Sequence, residues 1–343
     1  MKLCSKSIFF FIFIFKISLL HGTDIHFSNY TFSDAYLNPA LPSLINEDIR
    51  ANIKYRSQWE TIANGFQTVA AQFDINPLNI STRFCGKKLV ITPQIIYDRA
   101  GSLRKSTTAV NLNLSYSQFL DRQYKTQIAI GLQGGYTFSS IDLSKATFGS
   151  DYLNSGGSLS LNDIVPNQHY PNLSLGATMA FYPTSSFNFS GGLAAYNILK
   201  PNVSFIENNE VLLSRRYTAF LNFNNQINEI HSINSYLLFQ YQNPFTYYQG
   251  GVTWQANIGK KERDIFQHQL FAGLGLRWKD AIISSIGYHH TNYTIALNYD
   301  FNYSKLISSS RGVGAFELSF AFATDWFKTN KNCPRPIPCV KLR

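Results

Sequence analysis

Charged residues are scarce in this chain: aspartate, glutamate, lysine and arginine make up 15% of its 343 residues, against about 25% in an average soluble protein. Low charge suits a membrane protein. However, the runs of about 20 apolar residues that cross a bilayer as helices do not occur after residue 20. Helical heptads are missing as well. These absences argue against both a bundle of membrane helices and a coiled coil.

Cysteine is also sparse, and its spacing excludes a familiar metal motif. The chain has 4 cysteines and contains no CxxC pair or Cys/His metal spacing, so we predict neither a metal nor a cofactor. Cys85, Cys333 and Cys339 lie beyond the N-terminal leader. Cys333 and Cys339 are close enough in sequence to form a disulfide in an oxidising compartment, and two free thiols are the alternative.

Positive charge is in excess, but it is scattered along the chain. The formal net charge is +10, and three of the positive charges fall in residues 1–23, which leaves about +7 for the rest. No basic run interleaves with aromatic residues, which argues against nucleic-acid binding. We interpret these charges as belonging to loops and to the interior of a barrel.

The N-terminus has the pattern of a secretory signal peptide. Lys2 and Lys6 precede the apolar stretch "SIFFFIFIFKISLL", and "HGTDIH" follows it. A short apolar stretch behind a positive start is typical of an exported protein. We therefore predict a signal peptide over residues 1–23, with a retained helical anchor as the alternative.

Period-two alternation of apolar and polar residues recurs from residue 48 onward and predicts about fourteen β-strands. In "YTIALNYDFNY" (293–303), for example, Ile295, Leu297 and Phe301 alternate with Asn298 and Asp300. Segments of this length suit a tilted crossing of a bilayer. The predicted strands are 48–59, 67–75, 89–97, 108–119, 126–138, 172–182, 187–195, 215–227, 233–242, 247–258, 268–278, 281–288, 293–303 and 315–325.

These strands predict an all-β outer-membrane barrel of about 14 antiparallel strands, because spanning backbone must be helical or form a closed sheet. The predicted barrel covers residues 48–326, preceded by a periplasmic or plug segment (24–47) and followed by a periplasmic tail (327–343). The two longest connections, 139–171 and 196–214, both follow odd-numbered strands, which places them outside the cell. Pro93 falls inside a strand and predicts a bulge there. A secreted soluble β protein is the rival interpretation.

The first strand has an unusually basic polar face. Arg50, Lys54 and Arg56 alternate with apolar residues, and arginine or lysine facing lipid at mid-bilayer costs roughly 2–4 kcal/mol. These residues should therefore face the lumen. Barrel closure places this strand beside the last one, so we predict a lumenal charge cluster of Lys54, Arg56, Asp300 and Glu317. We expect Asp300 to oppose Glu317 in the final hairpin. Ordinary solvated lumen charge is the alternative.

The segment before the barrel contains several aromatic residues that need burial, namely Phe27, Tyr30, Phe32 and Tyr36. We expect this segment to be ordered, either as a plug or as a docking site for a periplasmic partner. A loose lead-in to the first strand is the alternative.

An enzyme is disfavoured, although His289 and His290 follow Ser284 and Ser285 closely in sequence. A nucleophile needs a base and a group that orients the base, and no motif supplies these roles. The two histidines are also unsuited to act as a metal-binding pair, because adjacent residues in a strand point to opposite faces.

Several stretches resemble the PorP/SprF family of Bacteroidetes outer-membrane proteins, in the same order and over nearly the whole mature chain. The matching positions include Asn38, Pro39 and Ala40, followed by Tyr55, Arg56, Gln58 and Trp59. Two positions depart from the family pattern, because Asn197 and Phe316 stand where histidine is common in relatives. The longer matching stretches are "HFSNYTFSDAYLNPAL", "YRSQWETI", "LAAYNILKPNVSF", "NYDFNYSKL" and "GAFELSFAF", together with Cys333-Pro334.

The resemblance implies a non-enzymatic outer-membrane barrel of the type IX secretion and gliding machinery. Its partners would be components of that machinery, outer-membrane lipid and a secreted cargo with a type B C-terminal domain, such as an adhesin. The resemblance implies a role in export or surface anchoring of that cargo. A passive channel for small solutes is the alternative function.

Overall fold

The computed structural model describes residues 25–29, 34–45, 47–60, 65–77, 86–145, 164–262, 265–305 and 307–325. The predicted signal peptide (1–23) and C-terminal tail (327–343) lie outside these ranges, as do Cys85, Cys333 and Cys339. The disulfide prediction therefore remains a prediction.

The described residues contain fourteen β-strands, each overlapping one of the predicted strands. The strand boundaries differ from the predicted ones mainly by extensions of a few residues, most clearly at the start of the sixth strand. The strands are β1 (Ile49–Gln58), β2 (Phe66–Ile75), β3 (Lys87–Ala100), β4 (Lys105–Phe119), β5 (Thr126–Ser140), β6 (Asn167–Phe181), β7 (Phe187–Tyr196), β8 (Arg216–Gln226), β9 (His231–Gln242), β10 (Phe245–Glu262), β11 (Ile265–Arg277), β12 (Ala281–His290), β13 (Tyr293–Asn302) and β14 (Val313–Thr324).

The strands close into one antiparallel barrel in chain order, and β1 pairs with β14. The prediction of an all-β barrel is confirmed. Closure gives every strand two hydrogen-bonded neighbours, as a bilayer requires. Short helical turns occur at Asp34–Leu37, Leu41–Leu44, Leu143–Lys145 and Ile307–Ser310. No helix among the described residues is long and apolar enough to cross a membrane.

The alternation in sequence becomes an apolar outer face and a polar inner face. Along β13, Ile295, Leu297 and Phe301 are exposed, whereas Asn298 and Asp300 are buried. The buried polar residues include many asparagines, glutamines, serines and threonines of the inner face. The core of this protein is therefore polar and lies in the lumen, as expected for a barrel whose apolar face meets lipid.

The longest connections, residues 141–166 and 197–215, leave the same end of the barrel because both follow odd-numbered strands. We call this the long-loop end and the opposite one, where β1 begins and β14 finishes, the short-turn end. The assignment of the long-loop end to the cell exterior remains a prediction.

The bulge predicted at Pro93 is wrong. The β2–β3 ladder has the same register on both sides of this residue, with Gln72 opposite Gln94 and Ile75 opposite Ile91. No pair lies between these two. Proline cannot donate to the ladder, so the sheet accommodates it with a local gap in pairing on the β2 side. On the other side, Pro93 stays in register opposite Leu112.

The predicted pairing of Asp300 with Glu317 is also wrong, by two residues. Asn298 lies opposite Glu317, and Asp300 lies opposite Ala315. The register shifts after Asp300, and the connection to β14 contains the helical turn Ile307–Ser310, so the hairpin is irregular. A two-residue shift preserves the face on which a side chain lies, so both carboxylates still point into the lumen.

Candidate functional site

The four charged residues of the predicted cluster lie together inside the barrel, where β1 meets β14. Arg56 Nη2 is 3.0 Å from Asp300 Oδ2, and Arg56 Nη1 is 3.3 Å from Glu317 Oε2. Lys54 Nζ is 3.3 Å from Glu317 Oε1. All four side chains are buried. A buried charge is costly unless it is paired, and here each charge has an oppositely charged neighbour.

A fifth member, Arg277 of β11, was missed by the sequence analysis. Its Nη1 is 2.9 Å from Asp300 Oδ2 and 3.0 Å from Asp280 Oδ2. The available signal was its place between Leu276 and Trp278, which puts a lone arginine on the polar face of a predicted strand. We call Lys54, Arg56, Arg277, Asp300 and Glu317 the seam cluster.

Ser28, from the segment that precedes the barrel, lies at the centre of the seam cluster. Its Oγ donates to Asp300 Oδ1 at 2.6 Å, and its backbone N–H donates to Glu317 Oε2 at 2.8 Å. The Ser28 Oγ also accepts from Arg277 Nη2 at 3.1 Å and from Arg56 Nη1. One small residue therefore joins side chains from β1, β11, β13 and β14.

Neighbouring residues hold the same stretch of chain. The N–H of Asn29 donates to Glu317 Oε1 at 3.0 Å, and Gln249 Nε2 donates to the carbonyl oxygen of Ser28 at 2.9 Å. Lys54 Nζ lies 4.4 Å from the centre of the Phe27 ring, a favourable cation–π distance. Residues 25–29 are thus fixed near the long-loop ends of β1, β10, β11, β13 and β14.

The described residues 34–45 also lie in the lumen and lead to the short-turn end, where β1 begins. We call residues 25–45 the lumenal segment; the structure describes 25–29 and 34–45 of it. Near the short-turn end, Ser117 Oγ donates to the carbonyl oxygen of Ser43 at 2.8 Å, and Lys88 Nζ donates to that of Ile45. Arg50, the third basic residue of β1, forms an ion pair with Asp34, and its Nη2 lies 2.8 Å from Asp74 Oδ2.

The family-like Asn38-Pro39-Ala40 stretch lies against the opposite wall. Asn38 Nδ2 donates to the carbonyl oxygens of Ala177 and Leu193, at 3.1 and 3.0 Å. Its Oδ1 accepts from the Ala40 N–H at 2.9 Å, which fixes the turn. The side chain thus links the lumenal segment to both β6 and β7.

Two glycines of the wall make room for this turn. A Cβ atom on Gly131 would lie 2.2 Å from the carbonyl carbon of Pro39, and one on Gly176 would lie 2.1 Å from Asn38 Oδ1. Real Cβ contacts are not that short, so any larger residue would force the turn or the wall to move. We call the surface around Gly131 and Gly176 the glycine notch.

An apolar groove of about 1900 Å³ crosses the outer face of the barrel from β5 to β11. It is lined by outward side chains that include Ile130, Met179, Leu193, Leu221, Leu237 and Leu274. On the lumenal side of the same wall, Phe220 and Leu238 form a buried cluster with Leu37 of the lumenal segment. The wall that contacts the segment is therefore apolar toward the membrane.

The other family-like positions of β1 divide between the two faces. Gln58 Oε1 accepts from Arg56 Nη2 at 3.2 Å and so extends the seam cluster. Tyr55 points outward and is 36% exposed, in keeping with the lipid-facing row. Trp59 directly follows β1, has a φ of 53° and contacts the Phe66 ring edge-on at 5.6 Å between ring centres.

The serine and histidine residues near β12 do not form a catalytic arrangement. By the alternation of the strand, Ser284 faces outward and His289 faces the lumen. The hydroxyl of Ser284 donates to the carbonyl oxygen of Tyr299 at 3.4 Å, and His289 Nδ1 lies 2.8 Å from Thr294 Oγ1. His290 packs outside against His268, with 4.8 Å between ring centres.

Two solved structures illustrate the similarity in fold. The toluene transporter TodX from P. putida aligns with a TM-score of 0.51 and 10% identity, over 86% of this chain and 94% of that chain. A FadL homologue from Pseudomonas aeruginosa aligns with a TM-score of 0.50 and 11% identity, over 85% of this chain and 94% of that chain. At these identities the likeness concerns the barrel fold alone.

Sequence comparison is more specific. No curated protein matches the chain. Residues 20–322, which end within the last strand, match the family described as "Type IX secretion system membrane protein PorP/SprF". The match includes the seam cluster, the lumenal segment and the glycine notch, and the chain belongs to the PorP/SprF family of type IX secretion system membrane proteins.

Proposed function

We propose that this outer-membrane barrel supports the export or surface anchoring of one cognate protein secreted by the type IX system. The cargo would carry a type B C-terminal domain, as an adhesin does, and the barrel would act together with components of the secretion machinery. Membership of the PorP/SprF family supports the assignment to type IX secretion.

The main support for the proposal is the position of the described lumenal segment inside the barrel. The lumenal segment is bound to the seam cluster through Ser28 and to the opposite wall through Asn38. A barrel crossed by an ordered segment is a poor passive channel. This supports a role in handling a protein partner over free diffusion of small solutes.

The proposal assigns each part of the chain a place. Residues 1–23 direct export and are removed, residues 24–47 supply the lumenal segment, and residues 48–326 form the barrel in contact with outer-membrane lipid. Residues 327–343 form a periplasmic tail. The long-loop end faces the cell exterior, in keeping with the short periplasmic turns of bacterial barrels.

A deletion strain tests the cellular role. Loss of the protein should abolish surface display of its cognate cargo, while other type IX substrates continue to be secreted. Display would be measured by surface labelling and secretion by proteomics of the medium, with the wild-type gene returned as a control. Unchanged display of every type IX cargo would overturn the proposal.

A further inference from the structure

Much of the contact between the barrel wall and residues 34–45 is directed to peptide backbone. Tyr196 Oη donates to the carbonyl oxygen of Ala35 at 2.9 Å, and Thr218 Oγ1 donates to that of Leu37 at 2.9 Å. Arg216 Nη2 donates to the carbonyl oxygen of Tyr36 at 3.3 Å. These hydrogen bonds are available to any peptide that adopts the same path.

Side-chain selectivity is concentrated at the turn. Asn38 forms hydrogen bonds to both β6 and β7. Asn38 and Pro39 fit against the wall only because the glycine notch carries no side chains there. On either side of the turn, Leu37 packs in the cluster with Phe220 and Leu238, and Leu41 packs against that cluster. This combination selects an asparagine–proline turn flanked by apolar residues.

A small lumenal cavity, of about 140 Å³, lies beside this segment and borders Leu37, Leu41 and Leu44. The facing wall is largely uncharged and includes Asn188, Asn222, Gln255, Gln269 and Thr294. These wall residues lie toward the short-turn ends of their strands, so the cavity extends toward that end. Amide side chains both donate and accept hydrogen bonds, which suits an extended peptide backbone.

We propose that the inner wall from β4 to β9 is a peptide-binding site that residues 34–45 fill in cis. A second peptide with an asparagine–proline turn between apolar residues takes this site in trans when the cis segment is released. The origin of such a peptide in an exported protein rests on the proposed function, whereas its recognition by the wall does not depend on that function.

The experiment measures binding of a fluorescein-labelled peptide of residues 34–45, DAYLNPALPSLI, to the purified full chain in detergent micelles. The Asn38→Ala chain removes both hydrogen bonds from the cis segment to the wall, together with the one that fixes the turn, and leaves the wall intact. Loosening the cis segment raises the fraction of open sites and thus the apparent affinity. The peptide should bind this variant about tenfold or more tightly than the wild-type chain, as measured by fluorescence anisotropy.

Two matched pairs locate the binding. A peptide with alanine in place of the asparagine should bind the Asn38→Ala chain about tenfold more weakly. Adding Gly176→Val to that chain should abolish binding, whereas adding Gly134→Val should preserve it, because a Cβ on Gly134 meets no atom within 4 Å. Heat-modifiable mobility in electrophoresis confirms that each barrel is folded.

Equal binding of the two peptides, or no saturable binding by a folded Asn38→Ala chain, would overturn the proposal. If Asn38→Ala prevents folding, Leu41→Ala replaces it, because this change weakens the packing of the cis segment against the Leu37, Phe220 and Leu238 cluster and leaves the wall intact. The outcome is separate from the cellular test: absence of peptide binding together with lost cargo display would reject the lumenal site and retain the export role.

Discussion

Two parts of the lumenal segment are held by different physical means. At the Ser28 end, the contacts are hydrogen bonds to charged side chains of the seam cluster. At the Asn38-Pro39 turn, they are neutral hydrogen bonds from Asn38 to wall carbonyls and a close fit to two glycines. The first arrangement depends on charge balance, whereas the second depends on volume.

This difference predicts which substitutions each part tolerates. Removing one partner from a buried ion network leaves an uncompensated charge and is strongly destabilising. At the seam cluster, adding a methyl group should destabilise the fold less than removing a charge. At the glycine notch, adding volume should destabilise the fold more, because the neighbouring atoms leave no room for it and no charged group is involved.

The largest effect should come from Arg56→Met at the seam cluster. Asp300 and Glu317 would each lose a buried cationic partner, at a cost of about 3–5 kcal/mol in the free energy of unfolding. Denaturant unfolding in detergent micelles, followed by tryptophan fluorescence, measures this change. Arg122→Met is the matched control, since Arg122 is exposed and should change stability little. Similar losses in both variants would contradict the role given to the cluster.

A smaller effect is expected from Gly176→Val at the glycine notch. The added side chain would collide with Asn38, and overpacking of this kind costs about 1–3 kcal/mol. The lumenal segment should also become more accessible to added protease. Gly134→Val adds the same volume where a Cβ meets no neighbouring atom, so its segment should remain as resistant as in the wild type. Equal cleavage of both variants would mean that the notch does not hold the turn.

Ser28→Ala tests whether the segment itself contributes to the seam cluster. The change removes a hydroxyl that bonds to Asp300 and accepts from Arg56 and Arg277, so we expect a loss of about 1–2 kcal/mol. The control is Ser102→Ala in an exposed connection. The two variants would be compared by denaturant midpoint, and identical midpoints would show that the cluster does not need Ser28.

The smallest effect should occur at Asp121, in the turn between β4 and β5. Hydrogen bonds from the backbone N–H groups of Lys125 and Thr126 hold the pKa of Asp121 below its usual value. Because the folded-state pKa is lowered, the ionised carboxylate stabilises the fold at pH values above 3.8, the usual pKa. This contribution is lost as the pH falls through the folded-state pKa. Asp121→Asn should therefore lower the melting temperature slightly at pH 7 and not at pH 2. A pH-independent difference would contradict the titration.

Much of the barrel could be predicted from sequence, because an apolar outer face and a polar inner face impose alternation on every strand. Lys54 and Arg56 could be assigned to the lumen for the same reason, and barrel closure brought them next to Glu317. The pairing of Asp300 could not be predicted, because it depends on the shape of the connection to β14.

The path of the lumenal segment was harder to predict, since residues 25–45 carry no periodic signal. Aromatic residues indicated burial without indicating where. Ser28 has no local feature that marks it as the centre of an ion network, and Gly131 and Gly176 acquire their role only when Asn38 and Pro39 lie against them. Arg277 had a signal, a lone arginine on a polar face, but its partners come from distant strands.

Ion conductance of the wild-type protein in a planar bilayer measures whether the lumenal segment blocks the barrel. The structure predicts a current close to that of the bare bilayer, because the lumenal segment bridges the seam cluster and the opposite wall. Stable open steps from the wild-type barrel, as large as those of a water-filled porin, would show that the lumenal segment does not block it.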